Sequence, residues 1–179
     1  MEKKTILLIK KLIKNVPNFP KPGIIFRDIS NILDNPQIYS QIILCISNHY
    51  YDKKITKIAG IEARGFLFGA PVALNLGIGF VPIRKPNKLP RAKYSEKYNM
   101  EYSSNSLEIH KDAISSVDKV LIIDDILATG STVSAAVKLI RKTGKVNDAA
   151  FLMSLHFLKA DKKLEKININ CFNIIKITK

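Results

Sequence analysis

Two adjacent carboxylates followed by small hydroxyl residues stand out in the run Val120-Leu-Ile-Ile-Asp-Asp-Ile-Leu-Ala-Thr-Gly-Ser-Thr132. Thr129, Ser131 and Thr132 bring hydroxyl donors, and Gly130 can take the positive φ that lets neighbouring backbone N–H groups converge. A helix beginning near Ser131 adds the positive end of its dipole. These parts describe a cradle for a phosphate. Asp124 and Asp125 beside it repel phosphate but suit a vicinal diol, whose two hydroxyls donate at matching spacing. A phosphate cradle next to a diol acceptor fits a ribose 5-phosphate. The plainer reading is a strand end with an N-capping Ser or Thr, and the paired acids ahead of the Thr-Gly-Ser-Thr turn weigh against it. Rival nucleotide motifs are missing: there is no GxxxxGK[ST] run, and Gly77-Ile-Gly79 lacks the third glycine of a dinucleotide fingerprint.

The elements that must hold this run alternate in type. Apolar strands are expected at 57–61, 78–84, 120–124, 149–155 and 171–177, with helices at 36–50, 66–76 and 131–143. Strands apolar on both faces, alternating with helices, predict α/β architecture: a mainly parallel sheet flanked by helices. Ligands of such sheets lie outside the carboxyl ends of the strands, which is where the Asp-Asp pair falls. Prolines and Gly23 predict extended backbone and turns from Asn18 to Asp28. Between Lys85 and Asp112 the apolar stripe is lost and tyrosines stand at 94, 98 and 102, which fits a long loop or a loose hairpin, and loops of this length are often lids.

Composition limits the alternatives. The chain has 179 residues, 46% hydrophobic and 25% charged, and shows no linker or repeat, so we read 1–179 as a single domain. Cys45 and Cys171 form no CxxC spacing and suit a reducing, cytoplasmic setting. The formal charge of +14 is nearly all lysine spread along the chain, which fits a solvated surface better than a nucleic-acid partner. Residues 1–16 read as an amphipathic helix with Leu8, Leu12 and Val16 inward rather than a signal peptide. Residues 65–83 carry no charge, but Pro71, Pro82 and the break at Gly77 make them a buried helix and strand, not a membrane span.

The run 120–132 resembles the signature of the type I phosphoribosyltransferases, whose substrate is phosphoribosyl pyrophosphate. That signature does not choose the base. Three further segments resemble the adenine-specific branch of that family: Phe19-Pro-Lys-Pro-Gly-Ile-Ile-Phe-Arg-Asp-Ile-Ser30, Gly60-Ile-Glu-Ala-Arg-Gly-Phe-Leu-Phe-Gly69 with Arg84-Lys-Pro-Asn-Lys-Leu-Pro90, and Tyr94-Ser-Glu-Lys-Tyr-Asn-Met-Glu-Tyr-Ser103. The resemblance implies a type I phosphoribosyltransferase-like fold with a flexible hood over roughly 85–112. It implies transfer of a phosphoribosyl group to adenine, giving AMP and pyrophosphate in purine salvage, and a homodimer.

By the same resemblance, Ala128, Thr129, Gly130, Ser131 and Thr132 take the 5-phosphate, Asp124 and Asp125 the sugar hydroxyls, and Ile126 joins the substrate-binding set. Ile25, Phe26 and Arg27 line the base pocket, with backbone groups near Ile25 and Arg27 reading the purine. Arg64 reaches the pyrophosphate or base, and Arg84, Lys85 and Lys88 serve the pyrophosphate. Glu101 takes the proton from adenine N9 and Tyr102 closes beside it. Mg²⁺ is the implied cofactor, held mainly by substrate and water with no protein ligand cluster. Of the five arginines, Arg27, Arg64, Arg84 and Arg91 fall in these segments. Ser103, Ala63 and Ser131 depart from the family's usual glycine, serine and glycine; Ser131 is expected to cap the helix that follows.

Overall fold

The computed structural model describes residues 1–100 and 103–178, and the side chains of all of these except 99, 100, 103 and 104. The chain forms two compact units, Met1–Cys45 and Ile46–Lys179.

In the first unit, helix α1 (Lys3–Leu12) leads into strand β1 (Lys14–Pro17), which pairs antiparallel with β2 (Ile25–Asp28). The helix is shorter than the 1–16 expected, and its inward face is different. Ile9 and Ile13 are buried, whereas Leu8 is 42% and Val16 38% exposed. Two stripes of the same period run along this segment, and the Ile6, Ile9, Ile13 stripe wins over Leu8, Leu12, Val16 because Val16 already belongs to β1. A short helix α2 (Ser30–Leu33) follows, and α3 (Pro36–Tyr50) begins at the proline that suits a first helical turn.

The second unit is built on a five-stranded sheet. Its strands are β3 (Lys57–Ile61), β4 (Gly79–Ile83), β7 (Lys119–Leu127), β8 (Lys145–Leu155) and β9 (Asn170–Ile177), in the order β4-β3-β7-β8-β9. Every pairing is parallel. Counted along the chain this is a 2-1-3-4-5 order, so the direction of winding reverses between β3 and β7. A crevice opens at the carboxyl ends of strands at such a reversal.

Helix α4 (Arg64–Leu76) packs on β3, β4 and β7 and stops at Gly77, whose φ of +67° provides the left-handed C-cap. It is buried along one face only: Phe68, Val72 and Ala73 are covered, and Leu74 is 84% exposed. The expected wholly buried helix is therefore a half-buried one, and no helix among the described residues is long and apolar enough to cross a membrane. Helix α5 (Ser131–Ile140) lies between β7 and β8 on one side and a hairpin on the other. That hairpin, β5 (Lys93–Met100) with β6 (Ser103–His110), occupies the stretch for which a long loop and a hairpin were both open. Leu107 and Ile109 of β6 are buried in the main core, and Tyr94 and Tyr98 pack against it. Helix α6 (Ala160–Glu165), after a 3₁₀ turn at His156–Leu158, leads into β9.

At the amino ends of β3 and β7 a single carboxylate binds the sheet together. Thr56 Oγ1 donates to Asp118 Oδ1 at 2.9 Å, Lys57 Nζ lies 3.1 Å from Oδ2, and the Ser115 N–H and hydroxyl donate to Oδ2 at 2.8 and 2.7 Å. Burial opposes the charged form, but these donors outweigh it and hold the carboxyl below the usual carboxylate range. The contribution is therefore full above the unfolded-state value near pH ~4 and is lost as pH falls toward the folded-state value. Asp118→Asn is expected to destabilise the fold by about 1–3 kcal/mol at neutral pH. Urea unfolding at pH 7 and below pH ~4 checks this, since the gap from wild type must narrow in acid.

Candidate active site

The carboxyl ends of β3, β4 and β7 bring Arg64, Arg84, Asp124 and Asp125 to one edge of the second unit. Strand β7 continues past the acids to Leu127, so Asp124 and Asp125 lie within the strand rather than closing it. Side chains alternate across a strand. Asp125 is 2% exposed, and Asp124 is half-buried. The Asp125 N–H donates to Asp124 Oδ1 at 2.9 Å. Burial, and then the charge of Asp125, push the Asp124 carboxyl well above the usual carboxylate range. Burial raises Asp125 too, with the Arg64 cation pulling against it.

Arg64 is the first residue of α4, and its Nη2 lies 2.9 Å from Asp125 Oδ2. The helix reaches β7 this closely because of Gly65. A Cβ there would stand 2.6 Å from the Ile123 carbonyl oxygen and 3.1 Å from Asp124 Oδ1. Arg64 thus stands against the acids.

After Leu127, residues 128–130 bend into α5. Gly130 has φ +78° and occupies the N-cap position, and no side chain caps the helix. Ser131, expected as the cap, is instead the first helical residue. Its hydroxyl accepts from Thr129 Oγ1 at 3.4 Å and from Lys163 Nζ at 3.3 Å. The reason is steric: the turn needs a positive φ at the N-cap, which glycine adopts without strain and serine does not. A first turn without a side-chain cap presents N–H groups and positive dipole to an anion. A pocket of about 440 Å³ opens beside it, lined by Lys97, Tyr98, Ser131, Ser134, Ala135, Lys138 and Lys163.

Arg84 follows β4. Its Nε donates to Glu62 Oε2 at 2.9 Å, and its backbone pairs with Glu108 of β6 through bonds of 2.9 and 2.7 Å. Lys85 and Lys88 are exposed, as is Arg91, which pairs with Asp112 at the surface. Ile126 and Ala128 are half-buried, and Thr129 is exposed. Ile25, Phe26 and Arg27 fall on β2 in the first unit, where Phe26 meets Phe19 edge-on at 5.2 Å and Arg27 donates to Asn15. Glu101 and Tyr102 lie outside the described residues. Two acids were not singled out from sequence. Glu62 precedes Ala63 and Arg64 in a segment read for its arginine, and Glu108 sits between Leu107 and Ile109, accepting from Asn87 N–H at 3.1 Å and lying 2.8 Å from Lys93 Nζ. The 6% exposure of Glu108 was the clue that a sequence cannot supply.

Comparison with known proteins agrees with this geometry. Residues 28–178 match the phosphoribosyl transferase domain family. The adenine phosphoribosyltransferase of Shewanella halifaxensis (strain HAW-EB4) is 54% identical over 175 residues, covering 97% of this chain and 96% of that one. Among solved structures, the adenine phosphoribosyltransferase of Thermoanaerobacter pseudethanolicus has a TM-score of 0.92 at 44% identity, covering 96% of this chain and 99% of that one. The Saccharomyces cerevisiae enzyme, solved with adenine and D-2,5-dideoxy-2,5-imino-altritol 1,6-bisphosphate, has a TM-score of 0.88 at 38% identity, covering 97% and 99% of the two chains. By sequence and by fold, this chain belongs to the phosphoribosyl transferase family and, within it, to the adenine phosphoribosyltransferases.

Proposed function

We infer that this chain is a pentosyl transferase that moves the 5-phosphoribosyl group from phosphoribosyl pyrophosphate to adenine, giving AMP and pyrophosphate. The observation that carries the reading is the α5 first turn without a side-chain cap, placed directly after two adjacent acids at the reversal of the sheet. The S. halifaxensis relative bears the name of this activity, and the yeast structure holds adenine.

In this reading the 5-phosphate lies on residues 128–132, accepting from the backbone of the α5 first turn and the hydroxyls of Thr129, Ser131 and Thr132. Asp124 and Asp125 accept from the sugar hydroxyls, with Ile126 beside them. As the C1′–pyrophosphate bond loosens, the carboxylates stabilise the positive charge growing on the sugar, while Arg84, Lys85 and Lys88 take up the negative charge growing on the leaving group. Arg64 balances the acids. Backbone groups of Ile25 and Arg27, beside Phe26, read the base. Strand β2 belongs to a two-stranded sheet, so one of its edges faces no neighbouring strand among the described residues. A rigid acceptor and donor there reject hypoxanthine and guanine, whose hydrogen-bonding edge is reversed, by leaving buried groups unpaired. Glu101 accepts the N9 proton, and Tyr102 and the hairpin exclude water that would hydrolyse the activated sugar.

Two carboxylates, one of them already paired with Arg64, are too few for an all-protein Mg²⁺ cage. They fit a cation that keeps its waters and substrate oxygens and meets Asp124 and Asp125 through them. When bound, Mg²⁺ supplies neutralisation of the pyrophosphate charge. A homodimer in the cytoplasm completes the proposal, consistent with two free cysteines. Burial pushes the Cys171 thiol up to about 11, so it takes no part as a nucleophile.

Supplied with phosphoribosyl pyrophosphate, Mg²⁺ and each purine in turn, the enzyme should form nucleotide from adenine; formation from hypoxanthine or guanine instead would reassign the base. Asp124→Asn with Asp125→Asn should lower turnover by at least about 100-fold, and near-normal rates would remove the diol assignment. Glu101→Gln should lower kcat by about 100-fold with little change in KM for phosphoribosyl pyrophosphate; an unchanged kcat would take Glu101 out of the reaction. The raised carboxyl of Asp124 makes a further demand. Its charged form opposes folding, so stability is full below the unfolded-state value near pH ~4 and is lost as pH rises through the folded-state value. Asp124→Asn should therefore melt above wild type at pH 8 and converge with it near pH ~4, as read by calorimetry.

A further inference from the structure

The motif around Arg64 contains an acid that the reaction scheme does not use. Glu62 directly follows β3 and opens the two-residue turn into α4, with its side chain 14% exposed. Its Oε2 accepts two bonds, from Arg84 Nε at 2.9 Å and from the Lys85 N–H at 2.8 Å. Its own N–H donates to the Ile83 carbonyl at 2.9 Å. One residue thus grips three consecutive positions, 83 to 85, at the start of the cationic segment. Arg84 is held from a second direction, with its guanidinium carbon 5.8 Å from the centre of the Phe66 ring. Its Nε is taken, and its two η nitrogens have no protein acceptor among the described residues. A guanidinium is a rigid planar fork, so fixing the Nε edge fixes where the other donors point.

We propose that Glu62 is a positioning residue for the pyrophosphate end of the substrate: by holding Arg84 Nε and the Lys85 backbone, it aims the η nitrogens of Arg84 at the leaving group. This rests on the transferase reading above and deepens it. A surface ion pair would not do the same, because long exposed side chains hold no single geometry. Here the carboxylate is largely covered and also anchors backbone. Arg84 Nε is the largest influence holding Glu62 below the usual carboxylate range, so the pair stays charged through neutral pH. Glu62 also ties the pyrophosphate segment to the turn that carries Arg64, so the two cations keep a fixed relation.

The test is steady-state kinetics in both directions on wild type, Glu62→Ala, Glu62→Gln, Arg84→Gln and the double variant Glu62→Ala/Arg84→Gln. Wild-type turnover of adenine is the control, and its absence would overturn the transferase reading rather than this one. Glu62→Ala should raise KM for phosphoribosyl pyrophosphate and for pyrophosphate by between about tenfold and a hundredfold, the loss expected from a misaimed group. KM for adenine should move less than about twofold on the same argument. Glu62→Gln keeps the shape and one acceptor oxygen, so its KM should fall between wild type and Glu62→Ala; it also serves where the alanine variant fails to fold. In the Arg84→Gln background, Glu62→Ala should add less than about twofold, the signature of a residue acting through its neighbour. Equal rises in KM for both substrates, an unchanged KM for phosphoribosyl pyrophosphate, or full additivity of the two substitutions would each overturn the assignment.

Discussion

Like charges brought together away from bulk water repel, and the adjacent acids Asp124 and Asp125 lie toward the carboxyl end of β7. Much around them follows from that repulsion. Arg64 is brought to Asp125 because α4 can begin against β7, and α4 can begin there because residue 65 has no side chain. A backbone N–H turns to Asp124 Oδ1. Burial, and then the charge of Asp125 that these contacts do not cancel, keep the Asp124 carboxyl raised. In the proposed reading, a sugar diol supplies these oxygens with two further donors.

The two ends of the sheet differ in the same way. At the amino end, Asp118 receives every donor it needs from Thr56, Lys57 and Ser115, and its carboxyl is held low. At the carboxyl end, the first turn of α5 has no side-chain cap, and among the described residues the Arg84 side chain is hydrogen-bonded through Nε alone.

Much of this was legible in the chain itself. The five strands of the main sheet and helices α3, α4 and α5 were placed within a few residues, because apolar runs bounded by Gly77, by the acids and by the Thr-Gly turn carry their own punctuation, whereas α6 was not read at all. The parallel sheet followed from strands apolar on both faces. What escaped was of two kinds. Phase was one: two apolar stripes overlap along α1, and only tertiary packing chose Ile9 and Ile13. Partnership was the other. Glu62 and Glu108 look like solvated acids in sequence, yet the structure gives each a backbone N–H and a cation whose proximity depends on β6 lying across Arg84. The N-cap of α5 is again a matter of phase, since the choice between Gly130 and Ser131 turns on one φ value.

Lysine and arginine contribute differently to so basic a chain. Most of its +14 charge is lysine, strongly hydrated and flexible, which screens and steers but fixes no geometry. The five arginines are placed where a planar fork can share its donors. Arg141 Nη2 joins the Val146 and Ile167 carbonyls within the fold, Arg64 meets Asp125, and Arg84 gives one edge to Glu62. An ammonium held by Glu62 could rotate its remaining protons in any direction, whereas a guanidinium held at Nε has only one way to face. In the proposed reading, selectivity for a pyrophosphate at this edge rests less on how much positive charge is present than on the orientation that Glu62 gives Arg84.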